Sequence, residues 1–222
     1  MSSREATVQG EFHAGATDAR ALLERDGGLE SYDAVLVEGR SPTLVVRELT
    51  LGYAAFLMGY VTLMWVQAAV ARVRGRTEAG ATLREAADRA DAAFHDRIDA
   101  DTATVYEMVP TPARYLFGAW LVSLLAVAVV AGLNRPLLVV LSLSVPYLYT
   151  TLAIVFVKVS ADARASYMAD RIDDLAAERS YDRVAVLCGD AHRTAVGEAL
   201  EEREWSVTTH RTRHPLGRLF RW

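Results

Sequence analysis

Two Gly-x-x-His units stand near opposite ends of the chain, Gly10 to His13 in TVQGEFHAG and Gly189 to His192 in VAVLCGDAHR. Imidazole is the side chain best suited to exchange a proton near neutral pH or to hold a divalent metal. A glycine three residues earlier lets the backbone turn sharply or come close to a ligand. Glu38 ends a third apolar run, AVLVEGR, and is followed by Gly39. Two imidazoles and a carboxylate on neighbouring strand ends would make a divalent-metal site or a general acid/base pair. Each motif alone is common, so the chemistry depends on whether the fold brings them to one place.

The elements around these residues lead to the expectation that it does. Residues 6–40 read as strand, helix, strand, in ATVQGEFH, TDARALLERDGG and YDAVLVEGR. Residues 160–210 repeat the logic. A helix, SADARASYMADRIDDLAAERS, carries apolar residues at Tyr167, Met168, Ile172 and Leu175. The strand DRVAVLCGDAH, the helix RTAVGEALEERE and the strand WSVTTHR follow. Between the two halves, Leu83, Ala87, Ala90 and Phe94 form one helical stripe, and FHDRID reads as a short strand. The pattern predicts an α/β fold, a small mixed or parallel sheet with flanking helices. In such sheets ligands bind outside the carboxyl ends of the strands, where both Gly-x-x-His units and Glu38 fall.

Three further stretches of the chain are strongly apolar. Mean hydropathy is +0.13 although 23% of residues are charged, so the apolar material must be concentrated. It lies in 51–73, 115–133 and 136–159, each near the roughly 20 residues of a spanning helix. The last two are separated only by Asn134 and Arg135, which reads as a transmembrane helical hairpin. Parity decides about the first. Strands from both ends must share one sheet, so an even number of crossings is required. Three spans would also place the segment holding Arg72, Arg74, Arg76, Arg84, Arg89, Arg97 and Arg114 outside, against the positive-inside rule. The stretch 51–73 is therefore expected to be a hydrophobic helix buried in the domain or lying against the bilayer. The expected organisation is a cytoplasmic α/β half over 1–114, a hairpin over 115–159, and the second α/β half over 160–222.

Net charge is −4, which offers no basic footprint for nucleic acid. A single cysteine, Cys188, excludes an internal disulfide and a cysteine-based zinc site and fits a reducing compartment. MSSREATVQGEF has no apolar core of the signal-peptide kind, so the N-terminus is expected in the cytoplasm. Asp99, Asp101 and His95 in FHDRIDAD are expected to form a solvated acidic loop, and Asp173 and Asp174 an exposed helix face. Cys188 reads as a packed strand residue, and Pro146 as a kink that a membrane helix accepts. No ordered partner is inferred for His210 or His214. The tail after them, with Leu216, Leu219, Phe220 and Trp222 among Arg218 and Arg221, reads as an interfacial anchor.

Taken in order, VQGEFH, DAVLVEGR, DARASYMADRI and VAVLCGDAH resemble the TraB/Tiki/GumN-like family. That family's pattern is a strand ending in Gly-x-x-His, a strand ending in Glu, a helix with an Arg and a Met-Ala pair, and a second Gly-x-x-His. The resemblance covers roughly 6–40 and 160–210, and more loosely GATLREAADRA. It implies a site made of His13, Glu38, Arg164 and His192. A divalent metal would be held by His13 and His192, with Glu38 as ligand or general base and Arg164 stabilising an oxyanion or orienting Glu38. The implied activity is metal-dependent hydrolysis, with a peptide substrate or a membrane partner protein, at the cell membrane. Glu11 and Asp190 replace small or hydroxyl residues of the family pattern, and Ala163 and Ala165 replace the usual neighbours of Arg164. Those two alanines favour a rival reading, a non-catalytic membrane regulator or binding protein that keeps the fold. Oligomeric state is not legible.

Overall fold

The structure is a computed structural model that describes residues 4–12, 16–25, 27–40, 43, 50–73, 79–130, 136–151, 155 and 159–214. The chain divides into two compact units. One comprises Met1–Arg40, Val70–Ala100 and Ala161–Trp222, and the other Ser41–Ala69 and Asp101–Ser160.

The first unit is a five-stranded sheet with helices on both faces. Its strands are β1 (Glu5–Glu11), β2 (Ala34–Val37), β3 (Ala93–Asp96), β4 (Arg183–Gly189) and β5 (Ser206–His210). Their spatial order is β3-β2-β4-β1-β5, and every pairing is parallel. The sheet is thus parallel rather than mixed. Strands from before and after the apolar stretches pair directly, Val8 opposite Val186 and Leu36 opposite Val186. A parallel sheet covered on both faces needs apolar residues at successive positions, and β2 and β4 supply them. Ala34, Leu36, Val184, Val186 and Cys188 face the helices α7 (Ala161–Arg179) and α8 (Asp190–Glu201). Val35, Val37, Ala185 and Leu187 face α1 (Thr17–Leu23) and α3 (Ala79–Arg89). The period of two along the strands assigns residues to the two cores.

The buried side of α7 is Arg164, Ala165, Met168, Ala169, Ile172, Leu175 and Ala176. This follows a 3.6-residue period from Met168, Ile172 and Leu175 back to Arg164, so the stripe that seats the helix also carries an arginine inward. Tyr167, expected on that stripe, is exposed. On α3 the buried residues are Leu83, Ala86 and Ala87. The helix ends at Arg89, so Phe94, expected on the same helical stripe, belongs to β3 instead. FHDRID does contain a strand.

The second unit is helical. It holds most of α2 (Leu51–Val73), together with α4 (Thr102–Met108), α5 (Thr111–Val130) and α6 (Pro136–Thr151). Asp101, expected in a solvated loop, caps α4 by accepting from the Thr104 amide at 2.8 Å. On α5 and α6, Phe117 meets Tyr147 and Trp120 donates to the Leu143 carbonyl at 3.2 Å, so the two helices run antiparallel. Gly59 of α2 lies where a Cβ would come 2.7 Å from the Tyr147 ring, and Tyr147 donates to the Ala55 carbonyl. The missing side chain is what lets α2 close on α6. Among the described residues one helix, α5, is long and apolar enough to cross a membrane. Residues 131–135, 152–154 and 156–158 of the expected hairpin lie outside the described residues, as do 215–222 of the tail.

Candidate functional site

All five strands point the same way, so their carboxyl ends form one edge of the sheet. Glu38 follows β2 directly, and its amide continues the ladder by donating to the Leu187 carbonyl at 2.7 Å. β4 ends at Gly189 and α8 begins at the next residue, so His192 lies in the first turn of α8 rather than in a loop. Asp99 lies three residues past β3, after the buried Ile98. Arg164 reaches the same place from α7 across the core.

The guanidinium of Arg164 ties these residues together. Nε donates to Asp99 Oδ1 at 3.1 Å and Nη2 to Asp99 Oδ2 at 2.5 Å. Nη2 also donates to Glu38 Oε1 at 2.7 Å, and Nη1 to His192 Nε2 at 2.8 Å. The second Glu38 oxygen accepts from the Gly189 amide at 2.5 Å. Asp99 Oδ2 also accepts from Arg40 Nη2 at 2.5 Å, and the Arg40 Nε donates to the Ala100 carbonyl at 3.1 Å. Asp99 and Arg164 are almost fully buried, with side-chain exposures of 1% and 2%. Two carboxylates and two guanidiniums balance in charge, and desolvating them is tolerable only because each is paired. Burial alone would lower the pKa of Arg164. The hydrogen bonds and charges of Asp99 and Glu38 outweigh it, and the net shift is upward.

His192 is held neutral. Burial pushes its pKa below the ordinary value, and the neighbouring Arg164 charge pushes it further the same way, against the pull of Glu38 and Asp99. A guanidinium has only donors, so His192 Nε2 must accept, and the ring proton belongs on Nδ1. Nδ1 is buried and has no hydrogen-bond partner among the described residues. An orphaned donor at the carboxyl edge of a parallel sheet invites an acceptor from outside the chain.

The sign of the pH dependence follows. Below about 6.5 the unfolded chain protonates this histidine while the folded chain resists, so stability falls as pH drops below that value. This group adds at most about 1.4 kcal/mol per pH unit. His95 and His210 are shifted downward as well, so the contribution is read as a difference. Thermal melts between pH 5 and pH 7.5 should show a shallower acid slope for His192→Gln than for the wild type. Equal slopes would mean that His192 is not buried neutral.

Of the residues expected at the site, Glu38, Arg164 and His192 come together, and His13 lies outside the described residues. Asp99, expected in a solvated loop, is instead buried at the centre of the network, and Arg40 joins it unanticipated. Asp173, expected merely solvated, accepts from Arg4 and from Trp205 Nε1. Cys188 is fully buried, and desolvation raises its pKa well above the ordinary value, which leaves it an unreactive thiol.

The other end of the edge is structural. Gly10 permits close approach, since a Cβ there would collide with the Asp190 carboxylate. Asp190 in turn accepts from the Thr212 amide at 3.0 Å. The buried Asp18 accepts from the Phe12 and Arg213 amides and from the Thr212 hydroxyl, and the His214 ring stacks on Phe12. His214 therefore does have an ordered partner. These contacts fix the backbone immediately before His13.

Among the described residues, no group of three or more His, Cys, Asp or Glu side chains is arranged to hold a metal ion. The single lone pair of His192 Nε2 is taken by the Arg164 donor, whereas each Glu38 oxygen, with two lone pairs, accepts from Arg164 or from the Gly189 amide. His192 Nε2, as placed, offers no lone pair to a divalent ion, and His13 lies outside the described residues. No protein-family model, curated protein or solved structure matches this chain.

Proposed function

We propose that the chain is a membrane-anchored hydrolase of TraB-like type, acting on peptide bonds from a cytoplasm-facing α/β domain. The observation that carries this reading is the neutral, buried His192 whose Nδ1 lacks a partner among the described residues while Arg164 organises its other nitrogen together with Glu38 and Asp99. Donation from the guanidinium to Nε2 draws electron density from the ring and makes the Nδ1 proton a stronger donor. A substrate carbonyl oxygen placed there would be polarised for attack. Glu38, held at both oxygens, is the carboxylate to which an attacking water would pass its proton. Arg164 acts by orienting Glu38 and His192, and Asp99 by orienting Arg164.

The membrane assignment rests on the apolar α5, on its antiparallel neighbour α6, and on parity. The chain leaves the sheet after β3 and returns to it at β4, which is compatible with an even number of crossings and supports reading 115–133 and 136–159 as a pair. The protein is then a multi-pass protein of the cell membrane, with the bilayer as its constant partner and a peptide or a membrane protein as its substrate.

The test is cleavage of a peptide library by the full chain in lipid vesicles, with and without a chelator. Wild type should cleave, and His192→Gln should lose about 100-fold or more in rate with its melting curve retained. Cleavage abolished by the chelator would restore His13 and His192 as ligands of a divalent metal. Absence of cleavage by the wild type under both conditions would sink the hydrolase reading. A second reading, a non-catalytic regulator, is favoured by the balanced charges around Arg164, which would give a closed structural cluster.

A further inference from the structure

Helix α2 has 23 residues, about 34 Å at 1.5 Å per residue, enough to cross a hydrocarbon core of about 30 Å. No charged side chain occurs between Leu51 and Ala71. In the sequence its length and lack of charge suit a span, and the pairing of β2 with β3 opposes one. β2 precedes α2 and β3 follows it, and the two are neighbouring parallel strands with Ala34 opposite Ala93 and Val37 opposite Asp96. A single crossing between them would put hydrogen-bonded neighbours on opposite sides of a bilayer. Both ends of α2 must emerge on one side.

Among the described side chains of the helix, the buried ones lie in its first part. Tyr53, Ala55, Phe56 and Tyr60 are buried, Phe56 against Phe117 of α5 and the Ala55 carbonyl against Tyr147 of α6. From Val61 to Ala69 no described side chain is buried. Met58, Val61, Met64 and Trp65 recur at helical spacing and form one exposed apolar face, with Trp65 76% exposed. The helix that partners α2, α5, is itself the one apolar enough to span, so this face continues a lipid-facing surface. Arg72, Arg74 and Arg76 follow directly and suit anionic headgroups.

We propose that α2 is a non-crossing membrane helix, bedded in a single leaflet through Met58, Val61, Met64 and Trp65. The proposal rests on the reading of 115–159 as a transmembrane hairpin. Its occupant is lipid, because a face without charge that adjoins a spanning helix gains most from acyl chains.

The test uses the full chain in phosphatidylcholine/phosphatidylglycerol vesicles, where the buried Cys188 does not compete for labels. Ser31→Cys and Glu78→Cys, before and after the crossing in question, should react with an impermeant maleimide from the same side, and Asn134→Cys from the other. A fluorophore on Met64→Cys should lose emission when the lipids carry bromine on their acyl chains. Residue 78 reacting from the side of residue 134, or an unquenched probe at 64, overturns the proposal alone. Residue 134 reacting from the side of residue 31 overturns the hairpin, and this inference with it.

Discussion

Replacing Arg164 with methionine should cost about 3–5 kcal/mol of folding stability, because it strands buried charge. Asp99 loses both of its bonds to the guanidinium, Glu38 loses the donor to Oε1, and His192 Nε2 is left without a donor. Methionine fills much of the volume, so the loss reads the unpaired groups rather than a cavity. Arg164→Lys keeps the charge but not the planar fork, and a single ammonium cannot serve Asp99, Glu38 and His192 together. It should fall between wild type and methionine. Chemical denaturation in detergent micelles measures both. A methionine variant within about 1 kcal/mol of wild type would mean that the network contributes little, as exposed ion pairs do.

Asp99→Ala should be comparably damaging. The carboxylate contacts both guanidiniums, so its removal takes from the buried Arg40 and Arg164 the acceptor they share. The expected loss is again about 3–5 kcal/mol. Asp96→Ala is the control, since Asp96 pairs with Arg84 at 3.0 Å with both partners half exposed. That change should cost at most about 1 kcal/mol. The comparison separates burial from the mere presence of an ion pair three residues apart in sequence. Equal losses at the two positions would show that Asp99 is not the keystone its burial suggests.

Much of this arrangement was legible in the sequence, for definable reasons. The continuous apolar runs of β2 and β4 announce strands buried on both faces, and the strand–helix order repeated in 6–40 and 160–210 puts both ends of the chain in one sheet. Glu38 and His192 were found because strand-end positions can be read from where such runs stop. Asp99 was missed because its partners are 59 and 65 residues away, while its local setting of His95, Asp96, Arg97 and Asp101 reads as solvated charge. Local composition cannot reveal a buried carboxylate whose counterions arrive from other elements. Arg164 carried a usable signal, since it stands four residues before Met168 on the buried stripe of α7. The start of α8 at Asp190 was harder, because Gly189 ends a strand and precedes a helix without a side-chain cap. His192 is consequently aimed by the first turn of a helix rather than by a loop.

The central claim is that one buried guanidinium holds two carboxylates and a neutral imidazole in a single site. Nitrogen-15 NMR of the histidine rings tests it most directly, and with five histidines the His192→Gln variant assigns the signal. His192 should remain neutral at pH 7, titrate below the ordinary value of about 6.5, and carry its proton on Nδ1. A His192 charged at pH 7, or one protonated on Nε2, would contradict the account, because neither form can accept from Arg164.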